Sequence, residues 1–325
     1  MKQDGDTERH TVAASRFRFV DGSHRDLFDR LAAWSNANCT CAEGPEKHIM
    51  QSYVAATFCA FCAPPQATDH EVFISAKCGL LFFLVDDGSA EQLDEFDRVL
   101  GTGMHAEGNE PATCLASLFA DLEALGCDTG DLDAAVRRWV ASMRHEQDLD
   151  IRTLTPQTYY DLRKETIFVS CLVFSWTSLL RTRVAENFTS ESMDVLDFAI
   201  RIVIIANDLG SLRADDASSD RPGILADINT VLLRGRVLGL KGAVREAIDD
   251  YNTLVTKFQA IQRGLPQHAG HDGSGMSTFL AVLRHVVNGN LDGTRHLTKE
   301  RYPGSSQILR RLDSIAPSGG YSTPL

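Results

Sequence analysis

The sequence predicts an all-α protein built as a single helical domain, and three observations carry that expectation. From Phe17 onward, apolar residues recur at helical spacing almost throughout. Strand signals are nearly absent, because no alternating run is bounded by an Asn-Gly or Asp-Gly hairpin turn and no internal repeat or low-complexity block occurs. Chain punctuation is concentrated in two loops, Ser218 to Gly223 and Gly264 to Gly275, and both join helices of one body. At 325 residues and 43% hydrophobic, the chain has enough apolar material for one large core or two modest ones.

The elements follow in order. Residues 1–15 are charged, polar and aperiodic, and are expected to be a disordered N-terminus. Leu27, Leu31, Ala32 and Trp34 mark a first amphipathic helix. Tyr53, Phe58 and Phe61 mark a second, closed by Pro64-Pro65 because proline lacks the N–H a helix needs. Phe73 to Asp86 is a long apolar helix running straight into carboxylates. Further helices are expected at Asp94 to Leu100, Ala112 to Ala124, Leu132 to His145, Pro156 to Arg181 and Met193 to Asp215. Three more are expected at Leu225 to Leu232, Lys241 to Gln262 and Ser277 to Asn290. The helical domain should span residues 16–303 and be followed by a flexible tail over 304–325.

Charge and cysteine usage narrow the function classes. With 32 basic against 44 acidic residues the net charge is -12, which argues against a nucleic-acid binder, since a phosphate-tracking surface needs a basic face. The N-terminus has no apolar signal core and no run reaches the length of a membrane span, so a cytoplasmic protein is expected. Its eight cysteines should then be free thiols. Cys39-x-Cys41 and Cys59-x-x-Cys62 offer four thiolates for zinc, the basis of a reading from another class: a non-catalytic helical zinc-binding interaction protein. Against it, Cys59 and Cys62 lie in an apolar segment, where cysteine behaves as a small buried hydrophobe.

Two clusters point to metal chemistry. Asn207, Ser211 and Asp215 recur at intervals of four, which stacks an amide, a hydroxyl and a carboxylate on one helical face. All three are hard oxygen donors, suited to Mg²⁺ or Mn²⁺. The run Leu80 to Glu91 supplies a partner, an apolar helix ending in Asp86 and Asp87 with Glu91 one turn later. Two such carboxylate-rich helix ends can share magnesium ions and a diphosphate between them.

These residues resemble the class I terpene synthases of bacterial type. Asp86-Asp-Gly-Ser-Ala-Glu91 is similar to that family's aspartate-rich motif, and Asn207-Asp-Leu-Gly-Ser-Leu-Arg-Ala-Asp215 to its Asn/Ser/Glu triad. Arg163, within Tyr159 to Thr166, resembles the arginine that senses the diphosphate, and Arg301-Tyr302 the pair that closes over it. A guanidinium suits that task because it binds phosphate oxygens bidentately and stays charged. The sequence departs from the pattern in several places. Ala90 removes the Asp-Asp-x-x-Asp form, so Glu91 is the third acid of the first motif. The triad ends in the shorter Asp215, with Asp216 beside it as a substitute that the sequence leaves open. Ala214 stands where a basic residue is frequent, with Arg213 adjacent. Gly293 stands where many relatives carry a tryptophan, which would widen the pocket.

The resemblance implies a helical bundle of the class I terpenoid synthase type with a central active-site cavity. It implies three Mg²⁺ ions, with Mn²⁺ as a substitute, held by Asp86, Asp87, Glu91, Asn207, Ser211 and Asp215. Arg163, Arg301 and Tyr302 would bind the diphosphate of a prenyl diphosphate. The hydrocarbon would meet Phe82, Phe83, Thr166, Ile167, Phe168 and Trp176, the aromatic faces stabilising a travelling carbocation. A diterpene synthase acting on geranylgeranyl or a copalyl-type diphosphate is expected, with a farnesyl-using sesquiterpene synthase as the alternative. The Asp-x-Asp-Asp signature of protonation-initiated cyclases is absent. So is a second acid-rich motif of the chain-elongating kind. A homodimer and an upstream class II cyclase or prenyl diphosphate synthase are the expected partners.

Overall fold

The computed structural model describes residues 17–39, 45–86, 93–102, 110–147, 149–150, 153–182, 190–218, 229–264 and 273–315. Among them there is no strand, and the all-α expectation holds. No described helix is long and apolar enough to cross a membrane. By its contacts the chain divides into two compact units, Met1–Ala60 with Ala67–Asp121, and Phe61–Gln66 with Leu122–Leu325. The N-terminal segment 1–15 lies outside the described residues, as do Asp87, Ala90 and Glu91.

The first unit is built on α1 (Gly22–Asn38), α2 (Pro45–Cys62), α3 (Asp69–Asp86), α4 (Asp94–Thr102) and most of α5 (Glu110–Ala124). Helix α1 starts where Asp21 accepts the His24 N–H, a bond that also holds the Asp21 carboxyl below its ordinary range. It buries Leu27, Phe28, Leu31 and Ala32 along one stripe and packs on α3. Lys77 of α3 is almost wholly buried, which its 2.6 Å ion pair to Asp121 and its position 4.6 Å from the Trp34 ring make tolerable. Cys59 is fully buried and donates to the Ser75 carbonyl, and burial pushes its thiol up to about 12. Its Sγ points to the Ser75 carbonyl while Cys62 Sγ donates to the Val286 carbonyl, so the two thiols serve as packing groups in different surroundings.

The second unit holds α6 (Gly130–Gln147), α7 (Pro156–Thr166), α8 (Val169–Leu179), α9 (Ser190–Ser218), α10 (Thr230–Leu238), α11 (Leu240–Gly264), α12 (Gly273–His296) and the short α13 (Ser306–Leu309). Helix α9 is its centre, packing against α7, α8, α10, α11, α12 and α13. Its middle is buried on every side, from Ile202 through Ala206, as a helix surrounded by others requires. Gly210 allows α12 to come close, since a Cβ there would lie 2.8 Å from Thr294 Cγ2. Gly289 of α12 does the same for the end of α2, where a Cβ would meet the Phe61 carbonyl at 2.5 Å.

Three expected boundaries differ. Pro156 to Arg181 is two helices instead of one, because Phe168 adopts φ +66 and starts α8 afresh. The helix expected at Leu225 to Leu232 begins at Thr230, where Asn229 caps it by accepting the Val231 N–H, and residues 225–228 lie outside the described set. Residues 304–315, assigned to the tail, are packed. Leu309, Leu312 and Ile315 are buried, and Arg295 donates to the carbonyls of Leu309 and Leu312.

Candidate active site

Helix α7 begins with a reciprocal cap between Thr155 and Thr158 and with Pro156 in its first turn. That start sets Tyr159 and Arg163, four residues apart, on the face turned to α9. Arg163 Nη2 donates to Asn207 Oδ1 at 3.5 Å, and Asn207 Nδ2 donates to the Tyr302 hydroxyl at 3.3 Å. Residues separated by 44 and 95 positions are thus joined in one chain of side-chain hydrogen bonds, with Asn207 in the middle. Arg301 is half-buried beside Tyr302, and both backbone N–H groups bond to the Leu297 carbonyl at the end of α12.

Ser211 and Asp215 continue the Asn207 face. Ser211 Oγ lies 3.0 Å from the Asn207 carbonyl and 2.6 Å from Asp215 Oδ2. Asp215 is buried, whereas Asp216 is exposed, so it is Asp215 that shares the face with Asn207 and Ser211. Arg213, adjacent to the unusual Ala214, lies where a Cβ on Gly304 would stand, and Gly304 has φ +81. The positive φ favours glycine there, while the exposed Arg213 side chain could move aside.

Three residues outside the expected set hold this face in place. Asp208 is buried, accepting the Tyr159 hydroxyl on Oδ1 at 3.1 Å and the Thr230 N–H on Oδ2 at 2.9 Å. Burial pushes its carboxyl up to about 7, against the opposing pull of Arg163 and the Thr230 N–H. Burial, and then the Asp208 charge, likewise hold the Tyr159 hydroxyl well above its ordinary range. Asn229 is fully buried and donates both to the Asp208 carbonyl and, at 2.8 Å, to Asp215 Oδ2. It therefore ties the start of α10 to the carboxylate of the shortened triad. The available sequence signals were the Asp beside Asn207, the Tyr one turn before Arg163, and an Asn preceding Thr-Val-Leu-Leu, the form of a helix cap.

The break between α7 and α8 sits at Thr166, Ile167 and Phe168, all buried. The Phe168 ring packs edge-on to Trp139 with centroids 4.6 Å apart, and Trp139 Nε1 donates to the Thr166 carbonyl at 3.2 Å. Thr166 Oγ1 is buried without a hydrogen-bond partner among the described residues. Trp176 is fully buried on α8. In the first unit Phe83 is buried and Phe82 half-buried, edge to face at 5.0 Å. The backbone of Asp86 ends α3.

The donors on α9 fit a hard divalent cation, being an amide oxygen, a hydroxyl oxygen and a carboxylate at one-turn intervals. Among the described residues Asn207 Oδ1 accepts the long Arg163 bond, and Ser211 Oγ shares its one proton between the Asn207 carbonyl and Asp215 Oδ2 while accepting a long bond from Asn229 Nδ2, so a lone pair is left for a cation. Among the described residues no cluster of three His, Cys, Asp or Glu side chains forms a metal site.

The helical fold is similar to that of solved terpene synthases. A variant of an ancestrally reconstructed protein designated SVS_A2 superposes with a TM-score of 0.71 at 17% identity, over 88% of this chain and 94% of that one. The linalool/nerolidol synthase of Streptomyces clavuligerus, solved in complex with 2-fluorogeranyl diphosphate, gives 0.69 at 18% identity over 86% and 95%. An α-eudesmol synthase gives 0.67 at 17% over 86% and 97%. At such identities the likeness establishes the fold. No protein-family model matches the sequence, and no curated protein matches it either.

Proposed function

We propose that this chain is a class I terpene synthase that ionises a prenyl diphosphate and cyclises the resulting carbocation. The observation that carries the proposal is the hydrogen-bonded chain Arg163–Asn207–Tyr302, which joins a cation, a metal-type donor and a phenol on the face that also bears Ser211 and Asp215. In this reading Asn207, Ser211 and Asp215 would hold Mg²⁺, three ions in all, with Asp86, Asp87 and Glu91 as the remaining protein ligands. Bound there, the ions would supply Lewis-acid charge to the diphosphate oxygens. Arg163 and Arg301 bind phosphate oxygens, and the long Arg163 bond to Asn207 is weak enough to be exchanged for them. The bonding pair of the allylic C–O bond leaves with the diphosphate, and the cation is quenched by loss of a proton or by capture of water. The reading assigns Phe168 and Trp176, and from the first unit Phe82 and Phe83, as rings that would stabilise the cation, with Thr166 and Ile167 at the helix break as its polar and apolar neighbours.

The substrate is a twenty-carbon diphosphate, geranylgeranyl or copalyl-type, because Gly293 of α12 carries no ring to fill the pocket. A diphosphate ligand is in keeping with the 2-fluorogeranyl diphosphate bound by the Streptomyces clavuligerus synthase. A homodimer, and supply of substrate by a class II cyclase or a prenyl diphosphate synthase, belong to the same proposal.

Incubation with geranyl, farnesyl, geranylgeranyl and copalyl diphosphates, followed by diphosphate assay and gas chromatography with mass detection, tests it. Diphosphate release should require Mg²⁺ or Mn²⁺ and be greatest with a twenty-carbon substrate. Asp86→Asn and Asn207→Ala should each cut turnover at least about tenfold. Intact metal-dependent turnover in both variants would remove the site assignment, and preference for farnesyl diphosphate would move the substrate to fifteen carbons.

A further inference from the structure

A cavity of about 530 Å³ opens in the second unit between α7, α9, α10 and α11, and none of Arg163, Asn207, Ser211, Asp215 or Arg301 lines it. Each helix contributes side chains at helical spacing: Arg201 with Ile204 and Ile205 from α9, Thr230 and Arg234 from α10, Asp250 with Leu254 and Lys257 from α11. The first turn of α7, from its Thr155 cap, forms another wall and contains no acidic residue to answer its partial positive charge.

The charge of this lining runs against that of the chain. Three cations face one carboxylate there, in a protein of net charge -12. The single acid is already committed, since Asp250 pairs with Arg234 at 2.6 Å. Arg201 and Lys257 form no ion pair among the described residues. Arg201 instead lies 4.2 Å from the centroid of the Tyr160 ring, whose hydroxyl donates to Asp197 at 2.9 Å. That contact, together with a hydrogen bond to the Tyr160 hydroxyl, holds the guanidinium in place, and its remaining N–H groups can serve a ligand. Beside Arg201 and Lys257 runs an apolar strip of Ile204, Ile205 and Leu254.

We propose that this cavity is an anion site for a small phosphate-bearing molecule with a short hydrocarbon body. Arg201 and Lys257 take the phosphate oxygens, Arg201 through its fork and Lys257 as a mobile point charge, and the hydrocarbon covers the isoleucines. The site also adjoins the catalytic-face scaffold, because Tyr159 and Thr230 line the cavity and also hold the Asp208 carboxylate. The cavity and its charges are independent of the function proposed for the Asn207 face.

Isothermal titration calorimetry of the full chain in chelator tests this, with inorganic phosphate and geranyl monophosphate as probes. A binding event should survive Arg163→Ala/Arg301→Ala, weaken at least tenfold in Arg201→Ala/Lys257→Ala, and be tighter for geranyl monophosphate than for inorganic phosphate. The proposal is overturned if the wild type binds neither probe, or if Arg201→Ala/Lys257→Ala keeps wild-type affinity. Loss of all binding in Arg163→Ala/Arg301→Ala, with that variant folded by circular dichroism, overturns it as well. If removing Arg201 from its ring contact unfolds the chain, Lys257→Glu at an exposed position decides, with the same weakening expected and unchanged affinity overturning the site.

Discussion

Asp208 is the residue on which the α9 face depends most, because two buried donors from different helices, Tyr159 and the Thr230 backbone, end on its carboxylate. In the unfolded chain an aspartate titrates near about 4, while burial in the fold holds this one at about 7. Between those values the folded chain binds the extra proton. The contribution of Asp208 to stability is therefore full below about pH 4 and is lost as pH rises to about 7. Asparagine has nearly the same shape and does not titrate. The stability of the wild type relative to Asp208→Asn should thus fall between pH 5 and pH 8, measured by urea denaturation in chelator, and a difference that stays flat or grows would contradict the assignment. Asn229 tests the neighbouring link. Asn229→Asp replaces an amide donor by a carboxylate oxygen 2.8 Å from Asp215 Oδ2, and two carboxylates so close cannot both ionise without cost. A loss of about 2–4 kcal/mol at pH 8, smaller at pH 5, is the expected result of the same titration series.

At the scale of the element, the break between α7 and α8 shows what packing imposes on a helical sequence. The run Glu165-Thr-Ile-Phe-Val169 contains neither Gly nor Pro, so periodicity alone continues one helix from Pro156 to Arg181. The chain turns instead at Phe168, whose left-handed backbone costs about 1–2 kcal/mol. The Trp139 contacts, ring against ring and indole N–H to the Thr166 carbonyl, offset it. Phe168→Gly separates the two effects. It relieves the strain but forfeits a buried ring worth about 3–5 kcal/mol, leaving a net loss of about 2 kcal/mol in chemical denaturation. A stabilised variant would mean that the ring contributes little. The same contrast governs legibility elsewhere. Long periodic helices such as α9 and α12 were readable because their buried stripes repeat along the sequence. The four-residue spacing of Asn207, Ser211 and Asp215 was likewise readable as one face. The choice of Asp215 over Asp216 was not, because it depends on Asn229, which reaches Asp215 from beyond a loop. Nor did spacing mark the Arg201 cavity, whose four walls come from segments spread over about a hundred residues.

On the scale of the molecule, the C-terminal segment closes the second unit, although Gly304 and the polar residues after it read as a tail. Asn252 bonds to the Arg311 carbonyl and the Asp313 N–H, Asn288 bonds to Ile315 in both directions, and Arg295 bonds to the Leu309 and Leu312 carbonyls. Three side chains on α11 and α12 thereby satisfy backbone groups that a short, irregular segment cannot satisfy for itself. Leu309, Leu312 and Ile315 are buried beneath them, worth about 1.5–3 kcal/mol each. Their sum is comparable with the whole stability of a domain, which is about 5–15 kcal/mol. A chain ending at Pro303 should therefore be insoluble, or melt far below the full chain in differential scanning calorimetry, even though every proposed ligand and the two residues proposed to bind diphosphate near the C-terminus, Arg301 and Tyr302, remain. An unchanged melting transition would show that the segment merely rests on α11 and α12. The truncation also reaches the α9 face, because Tyr302 accepts from Asn207 only two residues before Gly304, whose missing side chain makes room for Arg213. If a soluble fraction is recovered, it should bind diphosphate more weakly than the full chain in the presence of Mg²⁺, since the phenol that orients Asn207 has lost the packing that fixes it.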